Sequence, residues 1–200
     1  MKRTLPGITD EDKELMRKLL PLECPYQLKD ETINLLCELG NTVTLDKGDV
    51  LINVGECDPN FYILIDGLLR CWYWNGDKEE TELFSTIPTT FMDYHSTCGD
   101  NGSFYCYEAC LDSRLIKISK RDYDKLIEES HDFSNWRNNI MQHQLYWMER
   151  KKRFAMGNAK ERYDSFVKNL PDIMNLVPLR IVASYLRITP QHLSRLRRLP

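Results

Sequence analysis

The chain has 200 residues, 42% hydrophobic and 28% charged, a composition that fits one large or two small globular domains and excludes fibrous and disordered classes. Its net charge of −3 conceals a division: residues 1–149 carry 15 Lys and Arg against 27 Asp and Glu (−12), and residues 150–200 carry 12 against 3 (+9). No run approaches the ~18 apolar residues of a membrane span, and the opening MKRTLPGITDEDKE lacks the apolar core of a secretion signal, so no membrane partner and a cytoplasmic location are expected.

Thr9 followed by Asp10, Glu11 and Asp12 predicts a helix start, with Leu15, Leu19 and Leu20 on one side, and Asp30 to Leu39 predicts a second short helix. From Val43 to about Ile118 the texture changes to short runs of Val, Ile, Leu, Tyr, Trp and Phe. Turn signals cut them at 46–49, 54–56, Asp66-Gly67, 75–77 and 99–102. Breaks every ten residues or so predict a β-sandwich or jelly roll. The clearest hairpin is RCWYWNGDKEETELF, with the reversal expected at Asn75-Gly76.

Lys120 to Ile127 is expected to form a short helix that closes the roll. A long helix is expected beyond His131. Phe133, Trp136, Ile140, Trp147 and Phe154 fall near its a and d positions, and Met141, Leu145 and Met148 lie on an adjoining face. Two apolar faces imply two partners, the roll and the equivalent helix of a second subunit, with the a/d set assigned to the dimer; burial within its own domain is the alternative. Gly157-Asn158 marks a hinge, and Asn158 with Glu161 offers a cap for the next helix.

At the C-terminus, Leu179, Val182, Ala183 and Leu186 recur at helical spacing after Pro178, and Thr189-Pro190 starts a second helix. Leu193 and Leu196, with Ile188 from the turn, pack inward. Thr189, Gln191, His192, Ser194, Arg195, Arg197 and Arg198 are left to reach DNA. Arg matches the guanine edge, Gln the adenine edge, and the remaining cations suit phosphates. A surface helical hairpin with a solvated basic face is the other reading; the charge division favours double-stranded DNA.

The fold class expected is therefore α+β: an N-terminal β-roll with its helices over 1–130, a long dimerisation helix over 131–156 and a helix-turn-helix domain over 157–200. This order of parts resembles the Crp/Fnr superfamily of bacterial transcription regulators over nearly the full chain. The resemblance rests on Lys47 to Leu51, Gly55-Glu56, Tyr62 to Leu64 and Asp66 to Arg70 in the roll, and on Ile181 to Leu186, Ile188 to Pro190 and Leu193 to Arg198 in the tail. It implies a homodimeric regulator with Gln191 and Arg195 reading bases and Thr189 and neighbouring cations on phosphates; RNA polymerase is a further candidate partner, or the alternative to DNA for the terminal helices. Arg187 stands where the family usually has Gly, which costs on the order of 1 kcal/mol if its φ is positive. No β-wing is expected beyond the recognition helix.

Relatives that bind cyclic AMP carry a cassette with a Glu and, about ten residues later, an Arg for the cyclic phosphate. The matching stretches are Phe91 to Tyr94 and Gly102 to Tyr105; Asp93 can replace the Glu, but no Arg lies between Arg70 and Arg114. Cyclic AMP is therefore not expected as a ligand, and no other cofactor is assigned. Phe91, Asp93, Tyr94, Ser103, Phe104 and Tyr105, with His95 and Tyr107, form either a candidate effector pocket or core, and the residues leave both open. The seven cysteines lack CxxC spacing and are read as small buried thiols. His95, His131, His143 and His192 are too scattered for a metal set, and no nucleophile elbow or phosphate loop is present, so a jelly-roll metalloenzyme ranks below a regulator. A third class is a ligand-binding or protein-interaction module that does not read DNA sequence.

Overall fold

A computed structural model describes residues 2–99 and 101–198; Asp100 of the expected 99–102 turn, and Leu199 and Pro200 at the end of the tail, lie outside the described residues. The chain opens with strand β1 (Arg3–Leu5), then helices α1 (Asp10–Glu23) and α2 (Asp30–Leu39). Thr9 caps α1 as its sequence suggests, its hydroxyl accepting from the Asp12 N–H at 3.1 Å.

Eight more strands follow: β2 (Asn41–Leu45), β3 (Val50–Ile52), β4 (Phe61–Asp66), β5 (Leu69–Asn75), β6 (Lys78–Ser85), β7 (Thr89–Phe91), β8 (Cys106–Ala109) and β9 (Ser113–Ile118), with helix α3 (Tyr94–Cys98) between β7 and β8. They form two antiparallel sheets, ordered β1-β2-β9-β4-β7 and β3-β8-β5-β6. Between the sheets, Val43, Leu51, Tyr62, Leu64, Leu69, Phe91, Tyr107 and Leu115 form the roll's interior. The other face of the first sheet is buried too: Phe61, Ile63, Ile65, Ile116 and Ile118 pack with Met16, Leu20 and Leu36 of α1 and α2. Burial on both sides explains why FYILI in β4 is continuously apolar where a half-exposed strand would alternate.

The β5–β6 register pairs Asn75 with Lys78, so Gly76 and Asp77 make the reversal, one residue later than the dipeptide Asn75-Gly76 suggests. Gly76 supplies the positive φ of 65°. Gly67, at φ 96°, turns β4 into β5 against β9; a Cβ there would stand 2.6 Å from the Ser113 backbone, so no other residue fits.

Helix α4 (Lys120–Glu129) leads into α5 (His131–Met156), which ends at Gly157. Four helices complete the chain: α6 (Ala159–Asn169), α7 (Ile173–Leu176), α8 (Leu179–Tyr185) and α9 (Pro190–Leu196). The start of α6 is the full capping box that Asn158 and Glu161 suggest. Phe166, Ile173, Val177, Ile181, Val182, Leu186 and Leu193 close a third core that also takes in Leu68 and Cys110 of the roll. The terminal helices therefore share apolar packing with the roll. Among the described residues no helix is long and apolar enough to cross a membrane.

Candidate nucleic-acid interface

The tail turns sharply between α8 and α9. Thr189 caps α9, its hydroxyl accepting from the His192 N–H at 3.2 Å, and Pro190 takes the first helical position, where no N–H is needed. Arg187 adopts φ 52°, the only positive φ at a non-glycine among the described residues, so the turn takes the left-handed conformation that glycine would adopt without strain. Arg162 of α6 braces this corner: its Nε–H donates to the Leu186 carbonyl at 2.8 Å and its Nη1–H to the Gly157 carbonyl. Sequence reasoning counted Arg162 only as part of the basic excess; its position four residues after the Asn158 cap was the available signal.

Leu193 and Leu196 anchor the underside of α9 in the third core. Of the seven residues assigned to DNA, Thr189, Gln191, Arg195, Arg197 and Arg198 are exposed and His192 and Ser194 half-buried. Helix α9 ends at Leu196, and Arg197 and Arg198 continue as a turn, the Arg198 N–H donating to the Arg195 carbonyl at 3.1 Å. The arrangement presents one amide and three guanidinium groups on a short helix held from below and on the turn that follows it, a shape and charge suited to a groove lined with phosphates.

The back of α8 rests on the edge strand β6. The Thr81 N–H donates to the Ser184 hydroxyl at 2.7 Å, and that hydroxyl donates to the Glu79 carbonyl at 3.1 Å. Tyr185 stacks among Phe84, Phe154 and Phe166 at 5.3–5.6 Å between centroids. Arg187 approaches Glu82 at 3.5 Å and Glu80 at 3.8 Å, and Lys151 of α5 reaches Glu82 at 2.7 Å. Burial lowers the Lys151 pKa from the usual ammonium range, opposed by the Glu82 charge.

The five residues assigned to the dimer helix divide. Phe133, Trp136 and Ile140 are buried against the roll in the core of α1, α2 and α4, so these three are closed to a partner, and Phe154 is half-buried on Tyr185. Trp147 is exposed, together with Met141, Leu145 and Met148 of the adjoining face. The assignment of faces is thus corrected: the a/d residues near the start of α5 meet the roll because its double-sided sheet needs an apolar cover on that side.

The six pocket residues also divide. Phe91 lies between Tyr62 and Tyr107, stacked at 5.5 and 5.4 Å, and fills the roll's interior. Asp93 is buried and caps α3, accepting from the Ser96 N–H at 2.9 Å, the Ser103 hydroxyl at 3.0 Å and the Ser96 hydroxyl. Tyr94 points to α5, where Arg137 donates to its hydroxyl at 2.8 Å. Phe104 is half-exposed and clusters with Tyr73, His95 and Tyr105 on the surface. They do not line one open cavity.

Arg137 lies on α5, outside the stretch between Arg70 and Arg114 where a cassette cation is expected, so sequence spacing gives no signal for it. It is buried, donates also to the Tyr123 hydroxyl at 2.6 Å, and lies over the Phe61 and Tyr123 rings. Nearby, burial raises the Glu23 pKa against the opposing bonds from Thr90. Of the cysteines, Cys57 and Cys98 are exposed, correcting the expectation of uniformly buried thiols. Burial pushes Cys106 and Cys110 up to about 11 and holds them in the inert thiol form at neutral pH.

No family model and no curated protein matches the chain. Solved structures do. The chain is similar to FixK2 from Bradyrhizobium japonicum, with 13% identity and a TM-score of 0.66 over 79% of this chain and 82% of that one. It is similar to CLP, the c-di-GMP responsive global regulator of Xanthomonas campestris, with 13% identity and a TM-score of 0.66 over 84% and 89%. The catabolite activator protein of Thermus thermophilus gives 14% identity and a TM-score of 0.56 over 86% and 83%. These neighbours are Crp/Fnr-family regulators, and the chain has their fold, a cyclic-nucleotide-binding-like roll followed by a long helix and terminal helices.

Proposed function

We propose that the protein is a homodimeric, sequence-specific DNA-binding transcription regulator of the Crp/Fnr type and not an enzyme. The observation that carries this reading is α9: Gln191, Arg195, Arg197 and Arg198 are exposed over an apolar underside fixed by Leu193 and Leu196. A short rigid helix bearing these groups fits the major groove of double-stranded DNA, Gln191 and Arg195 reading bases and Thr189, Arg197 and Arg198 holding phosphates. The exposed stripe of Met141, Leu145, Trp147 and Met148 on α5 supplies the second subunit's contact. RNA polymerase is the partner such a regulator engages from its bound site.

The regulator does not respond to cyclic AMP. The Tyr62–Phe91–Tyr107 stack occupies the roll's interior, Asp93 is spent on α3, and no Arg belongs to that interior among the described residues. Calorimetry showing micromolar cyclic AMP binding would overturn this point.

Selection of bound fragments from random DNA by the purified protein, at two salt concentrations, tests the main reading. A palindromic motif with half-sites one helical turn apart, bound more weakly at the higher salt, is expected. Salt-independent binding, or none, would assign the basic tail to a protein partner.

A further inference from the structure

The turn between α8 and α9 holds a cation to which no part in DNA binding has been given. Arg187 takes φ 52°, a conformation that glycine adopts freely and a residue with a Cβ only under strain. Strained residues cluster at sites that bind or switch. Its side chain is 43% exposed, and its guanidinium lies beside two carboxylates of the roll, Nε at 3.8 Å from Glu80 and Nη2 at 3.5 Å from Glu82. We propose that Arg187 is a further phosphate-binding residue, and that Glu80 and Glu82 are an internal stand-in for DNA phosphate that holds it when no DNA is bound. Both roles rest on the function proposed above.

Three features make the contact exchangeable. Both separations exceed the ~2.9 Å of a charge-assisted hydrogen bond, so Arg187 is attracted without being clamped. Both carboxylates keep partners without it: Glu80 accepts from the Tyr73 hydroxyl at 2.8 Å and the Asn75 amide at 2.7 Å, and Glu82 pairs with Lys151 at 2.7 Å. Arg187 therefore strands no carboxylate when it swings away, and the usual penalty for breaking a charge pair is absent. The third feature is place. Arg187 stands two residues before Thr189, the cap of α9 and a proposed phosphate contact. Two residues span at most about 7 Å of chain, a distance that an extended arginine side chain covers.

The seating of α8 on β6 brings the partners together. The Thr81 N–H donates to the hydroxyl of Ser184, three residues before Arg187, and Glu80 and Glu82 flank Thr81 in the strand. On DNA, a phosphate offers the guanidinium the close, two-pronged contact that neither carboxylate makes. The competing carboxylates lower affinity for every sequence alike, since phosphate contacts carry no base information, and leave binding more dependent on the base contacts of Gln191 and Arg195.

The test is binding of a random-sequence duplex of about 20 bp by the full-length protein, read by fluorescence anisotropy at about 50 mM salt, where phosphate contacts are strongest. Glu80→Gln keeps an oxygen for Tyr73 and Asn75 and is expected to tighten binding about threefold; Glu80→Gln with Glu82→Gln is expected to tighten it about tenfold. In the Arg187→Ala background both gains are expected to fall below about twofold, as is the gain from a control pair on α2 and α4, Glu31→Gln with Glu128→Gln. Should the double variant not fold, the single one decides. An equal gain in the Arg187→Ala background, or from the control pair, would mean simple removal of charge and overturn the proposal. Without DNA, the Arg187 Nε–H resonance, identified by its loss in Arg187→Ala, is expected to shift in Glu80→Gln; a resonance indifferent to Glu80 overturns the stand-in whatever DNA does. Duplex binding by the wild type with no gain in either Gln variant ends this inference and leaves the regulator standing, whereas no duplex binding by any of the proteins ends both.

Discussion

The two halves of α5 share one helix and one high content of apolar residues, yet their surroundings are opposite. In the first half, Phe133 and Trp136 are 0% exposed and Ile140 1%; in the second, Leu145, Trp147 and Met148 are 61%, 53% and 68% exposed. The first half lies on a sheet already covered by α1 and α2 and completes that core. The second runs past the roll, where Gln144, Lys151 and Phe154 turn back to Thr90, Glu82 and Tyr185 while the apolar stripe between them stays exposed. Apolar content alone therefore does not tell a core face from an exposed one; what the helix lies against does.

Substitutions on the two halves separate these roles, beginning with the largest effect. Trp136→Ala leaves a cavity in a fully buried site and is expected to destabilise by about 3–5 kcal/mol in denaturant unfolding. A loss under about 1 kcal/mol would mean that the first half is not core. Leu145→Glu with Met148→Glu, by contrast, is expected to change monomer stability by no more than about 0.5 kcal/mol while weakening self-association at least about 100-fold, on the order of 3 kcal/mol. Sedimentation equilibrium reads it directly: a dimer that survives both charges places the interface elsewhere.

Arg195→Ala leaves both halves untouched and is expected to weaken operator binding by about 1–3 kcal/mol, with random DNA much less affected. Equal losses on both DNAs in a mobility-shift titration would rule out the base-reading role proposed for it. Arg187→Gly relieves the positive φ and gives up two half-exposed ion pairs, for a net gain of up to about 1 kcal/mol in thermal unfolding. Destabilisation instead would show that the pairs with Glu80 and Glu82 outweigh the strain.

The smallest effect concerns pH. Glu23, beside the first half of α5, has a folded pKa raised above 4.5 by burial. The folded state thus binds the proton more tightly than the unfolded chain. The stability this contributes is complete below pH 4.5 and lost as pH rises through the folded value. Glu23→Gln keeps an oxygen for the Thr90 bonds and is expected to stabilise the protein at pH 7, with the gain vanishing below pH 4.5. A gain independent of pH would point to packing in place of charge.

Local chemistry made much of the fold legible. Thr9, Asn158 and Thr189 cap the helices that follow them as their positions suggest, since a side-chain oxygen beside unpaired N–H groups acts within a few residues of itself. Strand β1 and helices α3 and α7 were not legible: each is five residues or fewer, too short to show a period, and β1 is held by its pairing with β2 forty residues on. The underside and outer face of α9 could be read because Leu193 and Leu196 sit three apart. The supporting contacts from Arg162, Thr81 and Glu82 could not, because they join residues up to 105 positions apart (Arg187 and Glu82).

By itself, then, the sequence determined what depends on near neighbours: caps, turns, the helical period of the tail, and the separation of an acidic body from a basic end. The tertiary structure alone decided which apolar stripe of α5 faces the roll, which aromatic rings fill the interior, and that Arg187 meets Glu80 and Glu82 of β6. Those outcomes depend on the close packing of segments distant in the chain, and the volume and burial that packing leaves to each side chain have no counterpart in local spacing.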